Sequence, residues 1–296
     1  MHDARNLRTD GLLLLTSAIW GFAFVAQRAG METIGPFTYN GVRFLLGTVT
    51  LLPLSVMIRR RPGAGGLRIR DALIAGVLLF LGSSFQQVGL VYTTAGKAGF
   101  ITGSYVVLVP IVGTVAGLSR TGLGRWLAVF LALAGLYLLS IREGFTIGRG
   151  DALVALSAVF FALHVLYLAK VARRNPVVPL AVVQFFVTGV FSLFFAVIVE
   201  APQISPILET WLPILYGGCF SVGIAYSLQV VAQRTAHPTH AAIILSLEGA
   251  FAALGGFLLL SERLSVREAV GCGVLLLAML LSQLAVPRRN EVMPPL

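Results

Sequence analysis

Glu248 is the one charged residue in the apolar stretch 241–260, which reads AAIILSLEGAFAALGGFLLL. Twenty residues of α-helix rise about 30 Å, the thickness of the hydrocarbon core of a bilayer. An acid near the middle of such a helix costs several kcal/mol unless it faces protein or water. Two hypotheses follow for Glu248: it is a coupling or conformational residue, or it is a structural acid held by a partner inside a helix bundle.

The composition places this stretch in an integral membrane protein. Of the 296 residues, 57% are hydrophobic and 11% are charged, whereas a soluble domain has about 25% charged residues. The net charge of +10 reflects basic residues in cytoplasmic loops and indicates no nucleic-acid partner. We predict an all-α fold with ten transmembrane helices. The ten predicted spans are 11–30, 37–58, 71–93, 97–118, 123–141, 151–171, 177–199, 207–233, 239–260 and 266–286.

Arg43, in the second predicted span, has the charge opposite to that of Glu248. Counted along the two helices, the residues are separated vertically by roughly 8 Å in a core of ~30 Å. A direct ion pair is one hypothesis, because an extended arginine covers most of that gap. Pairing of Arg43 with backbone carbonyls or with Gln184 is the second. In the third, the planar guanidinium binds a substrate carboxylate.

Two pairs of residues, each one helical turn apart, occupy matching places in the first and sixth spans. They are Trp20 with Phe24, and Phe160 with His164. Facing aromatic pairs can sandwich a planar group or a cation, although ordinary helix packing explains the same spacing. His164 is either a proton relay or a neutral hydrogen-bonding residue.

The third, fourth, eighth and ninth spans carry polar residues near their centres, including Gln87, Tyr105, Tyr226 and Gln229. We predict that these four spans surround a cavity. The fifth and tenth spans are almost wholly apolar, so we place them behind it. The alternative is that the polar side chains join helices to one another, a contribution of about 0.6 kcal/mol each.

The basic residues predict the orientation in the membrane. With the N-terminus in the cytoplasm, fifteen of the 22 Lys and Arg residues fall on the cytoplasmic side and six on the other, with Arg43 inside a span. This bias favours cytoplasmic termini at both ends, and hence an even number of spans.

The two halves of the chain resemble each other. TSAIWGFAFV at 16–25 matches LSAVFFALHV at 156–165, and VRFLLG at 42–47 resembles VQFFVT at 183–188. We therefore predict two five-helix repeats, 1–148 and 149–296. Because five is odd, the second repeat is inverted in the membrane, an arrangement in which two halves rock about a site near the midplane.

These motifs resemble those of the drug/metabolite transporter superfamily, in its EamA-type ten-helix branch. The resemblance covers about 10–286 and rests on SAIWGFAFV, on Pro36 followed by VRF, on SLEGAFAALGGFLLLSERLS and on VGCGVLLL. Within the superfamily the chain looks most like bacterial exporters of aromatic amino acids and paraquat. Many relatives have proline directly after the acid of the ninth span, where this chain has Gly249. The resemblance implies a central cavity and export of small metabolites.

Enzyme and metal sites are not predicted. The chain contains no HExxH, no GxSxG and no phosphate loop ending in GKS or GKT. His237 and His240 have the spacing of a metal pair, but they lack a third ligand, and Pro238 indicates a helix start. We therefore expect no enzymatic activity, no cofactor and no metal. Transport would then draw on an ion gradient or on the substrate's own gradient.

The leading hypothesis is a secondary transporter that exports amino acids or related small metabolites by alternating access. We expect a multi-pass protein of the cell inner membrane, a monomer or homodimer in the lipid bilayer, with a small-molecule substrate. One alternative is a drug or organic-cation exporter, which the aromatic residues would suit. An alternative from another class is a non-transporting membrane scaffold.

Overall fold

The structure, a computed structural model, describes residues 2–59, 66–93, 95–118, 121–140, 148–259 and 265–284. In these ranges every regular element is a helix. In chain order the elements are α1 (His2–Gly30), α2 (Pro36–Arg59), α3 (Ile69–Tyr92), α4 (Ala95–Gly103), α5 (Tyr105–Val115), α6 (Leu123–Ser140), α7 (Arg149–Val171), α8 (Val177–Val199), α9 (Ile204–Glu209), α10 (Trp211–Leu215), the π-helix π1 (Tyr216–Tyr226), α11 (Ser227–Gln233), α12 (Pro238–Leu245), α13 (Glu248–Leu259) and α14 (Val266–Leu284).

Seven helical segments in the described part of the chain are long and apolar enough to cross a membrane, and three further apolar helices are shorter. Taken in order, these ten segments correspond to the ten predicted spans. The prediction of an all-α integral membrane fold is therefore confirmed. The seven are Leu7–Gly30, Pro36–Met57, Ile69–Tyr92, Arg149–Val171, Val177–Val199, Trp211–Gln233 and Pro238–Gly255, and the three are Ile101–Val115, Leu123–Leu138 and Ala269–Ser282.

One end of the bundle brings together the start of α1 and several inter-helix turns. Thr9 in α1 lies 3.0 Å from Thr235, which follows α11. Thr121, before α6, lies 3.1 Å from Thr239 in α12. We call this end the basic end, because most arginines of the described turns lie there. It comprises residues 9–10, 68–71, 121, 173–175, 234–240 and 282.

The opposite end, here called the distal end, contains the remaining turns. The Glu200 carboxylate, after α8, accepts hydrogen bonds from the backbone N–H groups of Phe37 and Thr38 at 2.7 Å each. Thr93, after α3, donates to Asp151 at the start of α7. Successive spans therefore run in alternating directions between the two ends.

The second half of the chain enters this bundle in the opposite sense to the first. Helix α1 begins at the basic end, whereas α7 begins at the distal end. His240 lies 2.9 Å from Asp10 in α1 and 2.9 Å from Ser282 in α14, so the first and last described spans meet at the basic end. That the basic end faces the cytoplasm stays a prediction from the charge bias.

Helices of the two halves pack in matched pairs, α2 with α8, α3 with α7, and α6 with α14. The contact between α2 and α8 is reciprocal. A side chain at Gly41 would lie 2.5 Å from Leu193, and one at Gly189 would lie 2.8 Å from Leu45. Each helix thus offers a glycine to a leucine of the other, which lets the two backbones approach closely.

The fourth and ninth spans are interrupted near their centres. The fourth breaks between α4 and α5 at Ser104, and the ninth breaks between α12 and α13 at Ser246 and Leu247. The two serine hydroxyls donate to the carbonyls of Ile101 and Ile243, three residues earlier in each case. The ninth span therefore breaks without a proline, and the break precedes Gly249.

Candidate functional site

A central cavity encloses about 520 Å³ of empty volume, counting the part open to solvent. Its walls come from the first, second, third, fourth, sixth, eighth and ninth spans. No described residue of the fifth or tenth span lines it. The first, second and sixth spans join the four that sequence reasoning had placed around the cavity. The lining residues are Trp20, Phe24, Gln27, Arg43, Gln86, Thr102, Tyr105, Phe161, His164, Val165, Ser221, Tyr226, Gln229, Leu245 and Glu248.

Tyr226 is the centre of an aromatic wall. Its ring centroid lies 4.6 Å from that of Trp20, 6.0 Å from that of Phe44 and 6.3 Å from that of His164. The His164 ring meets it edge-on, at an interplanar angle of 83°. One side of the cavity therefore offers ring faces and edges to a ligand.

The π-helix in the eighth span positions this wall. Trp20 donates its indole N–H to the carbonyl of Ser221 at 3.2 Å, and Tyr216 donates to the carbonyl of Ile19 at 2.9 Å. These bonds join α1 to the start and to the middle of π1. Hydrogen bonding to the fifth residue rather than the fourth changes which side chains share a face, and π-helical turns occur often at functional sites.

Arg43 is buried and is held by its own helix. Its Nε donates to Asn40 Oδ1 at 3.0 Å, and Asn40 donates to the carbonyl of Ser83 in α3 at 3.0 Å. The guanidinium carbon lies 5.4 Å from the ring centroid of Tyr39 and 5.0 Å from that of Phe44. In the described ranges no carboxylate lies within ion-pair distance of Arg43, so its terminal nitrogens are available to the cavity.

Glu248 is the first residue of α13, directly after the break in the ninth span. Its residue is 5% exposed. The partial positive charge of a helix N-terminus favours a carboxylate at this place. No hydrogen bond or ion pair joins its side chain to another residue in the part of the chain that the structure describes.

The two opposite charges of the cavity therefore do not pair with each other. Of the three hypotheses for Arg43, the direct ion pair with Glu248 does not form in this structure. Pairing with Gln184 does not form either, since Gln184 lies 3.1 Å from His164 Nε2 instead. The bond to Asn40, three residues earlier on the same helix, was not anticipated.

Eight of the eleven residues proposed from the sequence line the cavity: Trp20, Phe24, Arg43, Tyr105, His164, Tyr226, Gln229 and Glu248. Three lie outside it. Gln184 is fully buried behind His164. Phe160 stacks on Phe85, with ring centroids 5.6 Å apart. Gln87 is fully buried, and neither of its amide atoms has a described partner.

Neighbouring residues take the places of two of these three. Gln86 lines the cavity instead of Gln87, and it donates to Thr102 at 3.1 Å. Phe161 lines it instead of Phe160. Successive helical residues point about 100° apart, so an error of one position turns a side chain away from the cavity. Gln27 was missed, although it lies seven residues after Trp20 on the same helical face.

Comparisons with known proteins agree with this architecture. The model of the EamA-like transporter family matches residues 7–141 and 148–284. An uncharacterized transporter of Archaeoglobus fulgidus is 33% identical over 285 residues, covering 96% of this chain and 89% of that protein. The uncharacterized inner membrane transporter YedA of Escherichia coli is 24% identical over 286 residues, covering 95% and 92%.

A solved crystal structure shares the fold. It superposes with a TM-score of 0.76 at 18% sequence identity, covering 93% of this chain and 96% of the other. The family match spans nearly the whole chain, and the structural match shows the same fold. We conclude that this multi-pass membrane protein belongs to the EamA-like transporter family.

Proposed function

We propose that the protein is a secondary transporter that exports zwitterionic amino acids or closely related metabolites across the inner membrane. The observation that carries the proposal is the presence of Arg43 and Glu248 in one cavity without an ion pair between them. A carboxylate and an ammonium on the same substrate would engage both charges at once.

The energetics favour such a substrate. A buried charge without a partner is costly in a low-dielectric interior, and pairing offsets part of that cost. The Arg43 guanidinium offers a planar donor fork for a carboxylate, because Asn40 engages only its Nε. Glu248 offers an acceptor for a cationic amine.

The walls of the cavity also fit a small amphipathic molecule. Small-ligand sites are mostly apolar, with a few polar groups that fix orientation. The rings of Trp20 and Tyr226 supply faces for an aromatic or aliphatic side chain.

Alternating access is the mechanism that the inverted architecture supports. At the basic end, Asp71 of α3 accepts hydrogen bonds from Arg174 at 2.8 and 2.9 Å and from Asn175 at 2.7 Å. These bonds join the two halves at the basic end, and the bonds of Glu200 to Phe37 and Thr38 join them at the distal end. Rocking of the halves would break one set of bonds and keep the other, which opens one side of the membrane at a time.

The charge bias supports a cytoplasmic basic end. Single cysteines at Gly66→Cys and Gly148→Cys, in a background without Cys219 and Cys272, test the orientation. In intact cells we expect an impermeant thiol reagent to label the variant at position 148 and not the one at position 66. The reverse pattern would place the termini outside.

Organic-cation export is the second candidate, because the aromatic wall and Glu248 alone would serve a cation. Arg43 distinguishes the two, since a cation without a carboxylate gains nothing from it. The family membership and the central cavity both disfavour the scaffold hypothesis.

Counterflow in proteoliposomes tests the proposal with a panel of amino acids and organic cations. We expect the wild type to exchange amino acids, and Arg43→Gln to lower that exchange about a hundredfold or more, as for loss of a charge-assisted bidentate bond. Arg149→Gln is the matched control, because Arg149 stacks over Tyr92 at 5.4 Å, outside the cavity. Exchange of organic cations alone would favour the second candidate.

A further inference from the structure

Three residues of the cavity lining carry oxygen acceptors for which no hydrogen-bond partner is found among the described residues. They are Glu248, whose carboxylate accepts no described hydrogen bond, and Gln229 and Tyr105, whose amide and phenol oxygens are enclosed by protein and unpartnered. The three residues are 5%, 1% and 3% exposed. Buried polar atoms in folded proteins are nearly always hydrogen-bonded, so unpartnered acceptors that line one cavity point to a ligand that brings donors.

The chemistry of these groups restricts that ligand. A carboxylate and an amide oxygen only accept hydrogen bonds, and a phenol oxygen accepts as well as donates. A primary ammonium group has three N–H donors and no acceptor. Its donors and its positive charge match three acceptors, one of which is negatively charged.

We propose that Glu248, Gln229 and Tyr105 form a subsite for a primary ammonium group, so that the protein selects substrates by the N–H bonds on their nitrogen. The inference rests on the proposed function, in which Arg43 binds the carboxylate of the same molecule. It adds a selection rule that the aromatic wall alone would not give, since ring faces attract quaternary and primary ammonium groups alike.

An ammonium group suits this wall better than a calcium or magnesium ion does. Those ions take about six or more oxygen ligands, and Glu248 is the one carboxylate among the lining residues of the described cavity. The neighbouring Tyr226 and Trp20 rings offer cation–π contact to an alkylated cation.

N-methylation is the chemical change that tests this rule. Each methyl group removes one donor, and three methyl groups leave the buried acceptors unpaired. A site built to hydrogen-bond its substrate rejects an analogue that lacks the donors by large factors, up to about 10⁴–10⁵. The aromatic side chain and the carboxylate stay constant along such a series.

The experiment measures competition for phenylalanine counterflow in proteoliposomes at equal pH on both sides. The competitors are phenylalanine and its N-methyl, N,N-dimethyl and N,N,N-trimethyl derivatives. We expect apparent affinity to fall along the series, with the trimethyl derivative at least a hundredfold weaker. Equal competition by all four would overturn the inference.

Two variants locate the effect at the named acceptors. Gln229→Leu and Tyr105→Phe are each expected to weaken phenylalanine about tenfold, as for loss of one hydrogen bond to a charged group. The trimethyl derivative should lose little affinity in either variant. The ratio between the apparent affinities of phenylalanine and its trimethyl derivative should therefore be smaller than in the wild type. An unchanged discrimination in both variants would also overturn the inference.

The matched controls are Gln87→Leu and Tyr92→Phe. Gln87 is a buried glutamine whose amide oxygen lacks a described partner, as that of Gln229 does, but it lies outside the cavity. Tyr92 is an exposed tyrosine at the distal end. In both controls the apparent affinity should fall along the N-methyl series as it does in the wild type. If the four competitors bound these controls about equally, the discrimination would not arise at the subsite.

Thermal stabilisation of the purified protein separates this inference from the proposed function. Phenethylamine and its N,N,N-trimethyl derivative, which lack a carboxylate, are compared in sodium-free buffer. If no amino acid is exchanged, the proposed function fails, but stabilisation by phenethylamine alone would still support the subsite. Equal stabilisation by both amines, or stabilisation by sodium chloride alone and not by phenethylamine, would contradict the subsite.

Discussion

The fourth and ninth spans are broken in the same way but carry different chemistry. Each break follows a serine that bonds to a carbonyl three residues earlier. After the fourth break comes Tyr105, and after the ninth break comes Glu248. The two inverted copies therefore share a backbone interruption near the cavity. Only in the second copy does the helix that starts after the break, α13, begin with a charged residue.

The first and seventh helices differ in a similar way. Gly21 in α1 and Phe161 in α7 are equivalent in the internal repeat. Gly21 lets α1 approach the start of α13, because a side chain there would lie 2.7 Å from the carbonyl oxygen of Glu248. Phe161 instead lines the cavity. The first copy therefore packs its helix closely against the start of α13, next to Glu248. The second copy places an aromatic side chain in the cavity wall.

Glu248→Gln tests whether the charge that distinguishes the ninth span is functional, and it has the largest expected effect. We expect net transport and exchange at equal pH both to fall at least a hundredfold, because the amine loses its ion pair. Thermal stability in detergent should stay the same or rise, since a buried unpaired charge is removed.

Glu209→Gln is the control, because Glu209 is exposed at the distal end and lies 3.0 Å from Ser205. A Glu248→Gln protein with lower yield and lower stability would support the structural-acid hypothesis instead. Normal transport together with normal stability would refute both roles.

Gly21→Ala tests the close packing between α1 and α13. The added carbon would lie 2.4 Å from Phe251 Cβ and 2.7 Å from the backbone nitrogen of Ala252. Backbone must shift to relieve these contacts, so we expect a loss of about 1–3 kcal/mol in unfolding free energy. Gly11→Ala is the control, since nothing lies within 4 Å of its added carbon. That change should be neutral or stabilising by up to about 1 kcal/mol in thermal unfolding.

Ser104→Ala and Ser246→Ala compare the two breaks directly. Each variant loses one side-chain hydrogen bond and should lose about 1 kcal/mol of stability. Both variants should slow transport, because Ser104 precedes Tyr105 and Ser246 precedes Glu248 by two residues. Ser246→Ala should slow it more, since it disturbs the charged acceptor. Equal slowing by both variants would show that the two breaks contribute alike.

Trp20→Phe and Phe160→Leu give the smallest expected effects. Trp20 lines the cavity and donates to Ser221, so its replacement should raise the KM for exchange severalfold, as for loss of one neutral hydrogen bond. Phe160 lies outside the cavity, and its replacement should change KM less than twofold. A larger effect of Phe160→Leu on the KM would indicate that Phe160 takes part in substrate binding.

The helical fold was predictable because the length of an apolar segment reports directly on a bilayer crossing. The charged residues of the cavity were predictable for the same reason, since Arg43 and Glu248 each interrupt an apolar span. Which face of a helix meets the cavity was harder. Gln86 and Gln87, or Phe160 and Phe161, are adjacent residues of similar chemistry, and a small error in helix rotation exchanges them.

The π-helix could not be read from the sequence. No local motif in YGGCFSVGIAY specifies it, and the bonds that join it to α1, at Ser221 and Tyr216, come from a distant part of the chain. The link between Arg43 and Asn40 was within reach, because residues three apart on a helix are neighbours.

The bonds from Glu200 to the start of α2 have a consequence for the biogenesis of the protein. Phe37 and Glu200 are 163 residues apart in the chain, so the ribosome releases α2 long before its capping carboxylate exists. Until α8 inserts, the N–H groups at the start of α2 must be satisfied by water at the membrane surface. The start of α2 in the first repeat therefore gains its capping carboxylate only when the second repeat has been inserted. Two halves synthesised separately would gain this cap only by assembling with each other.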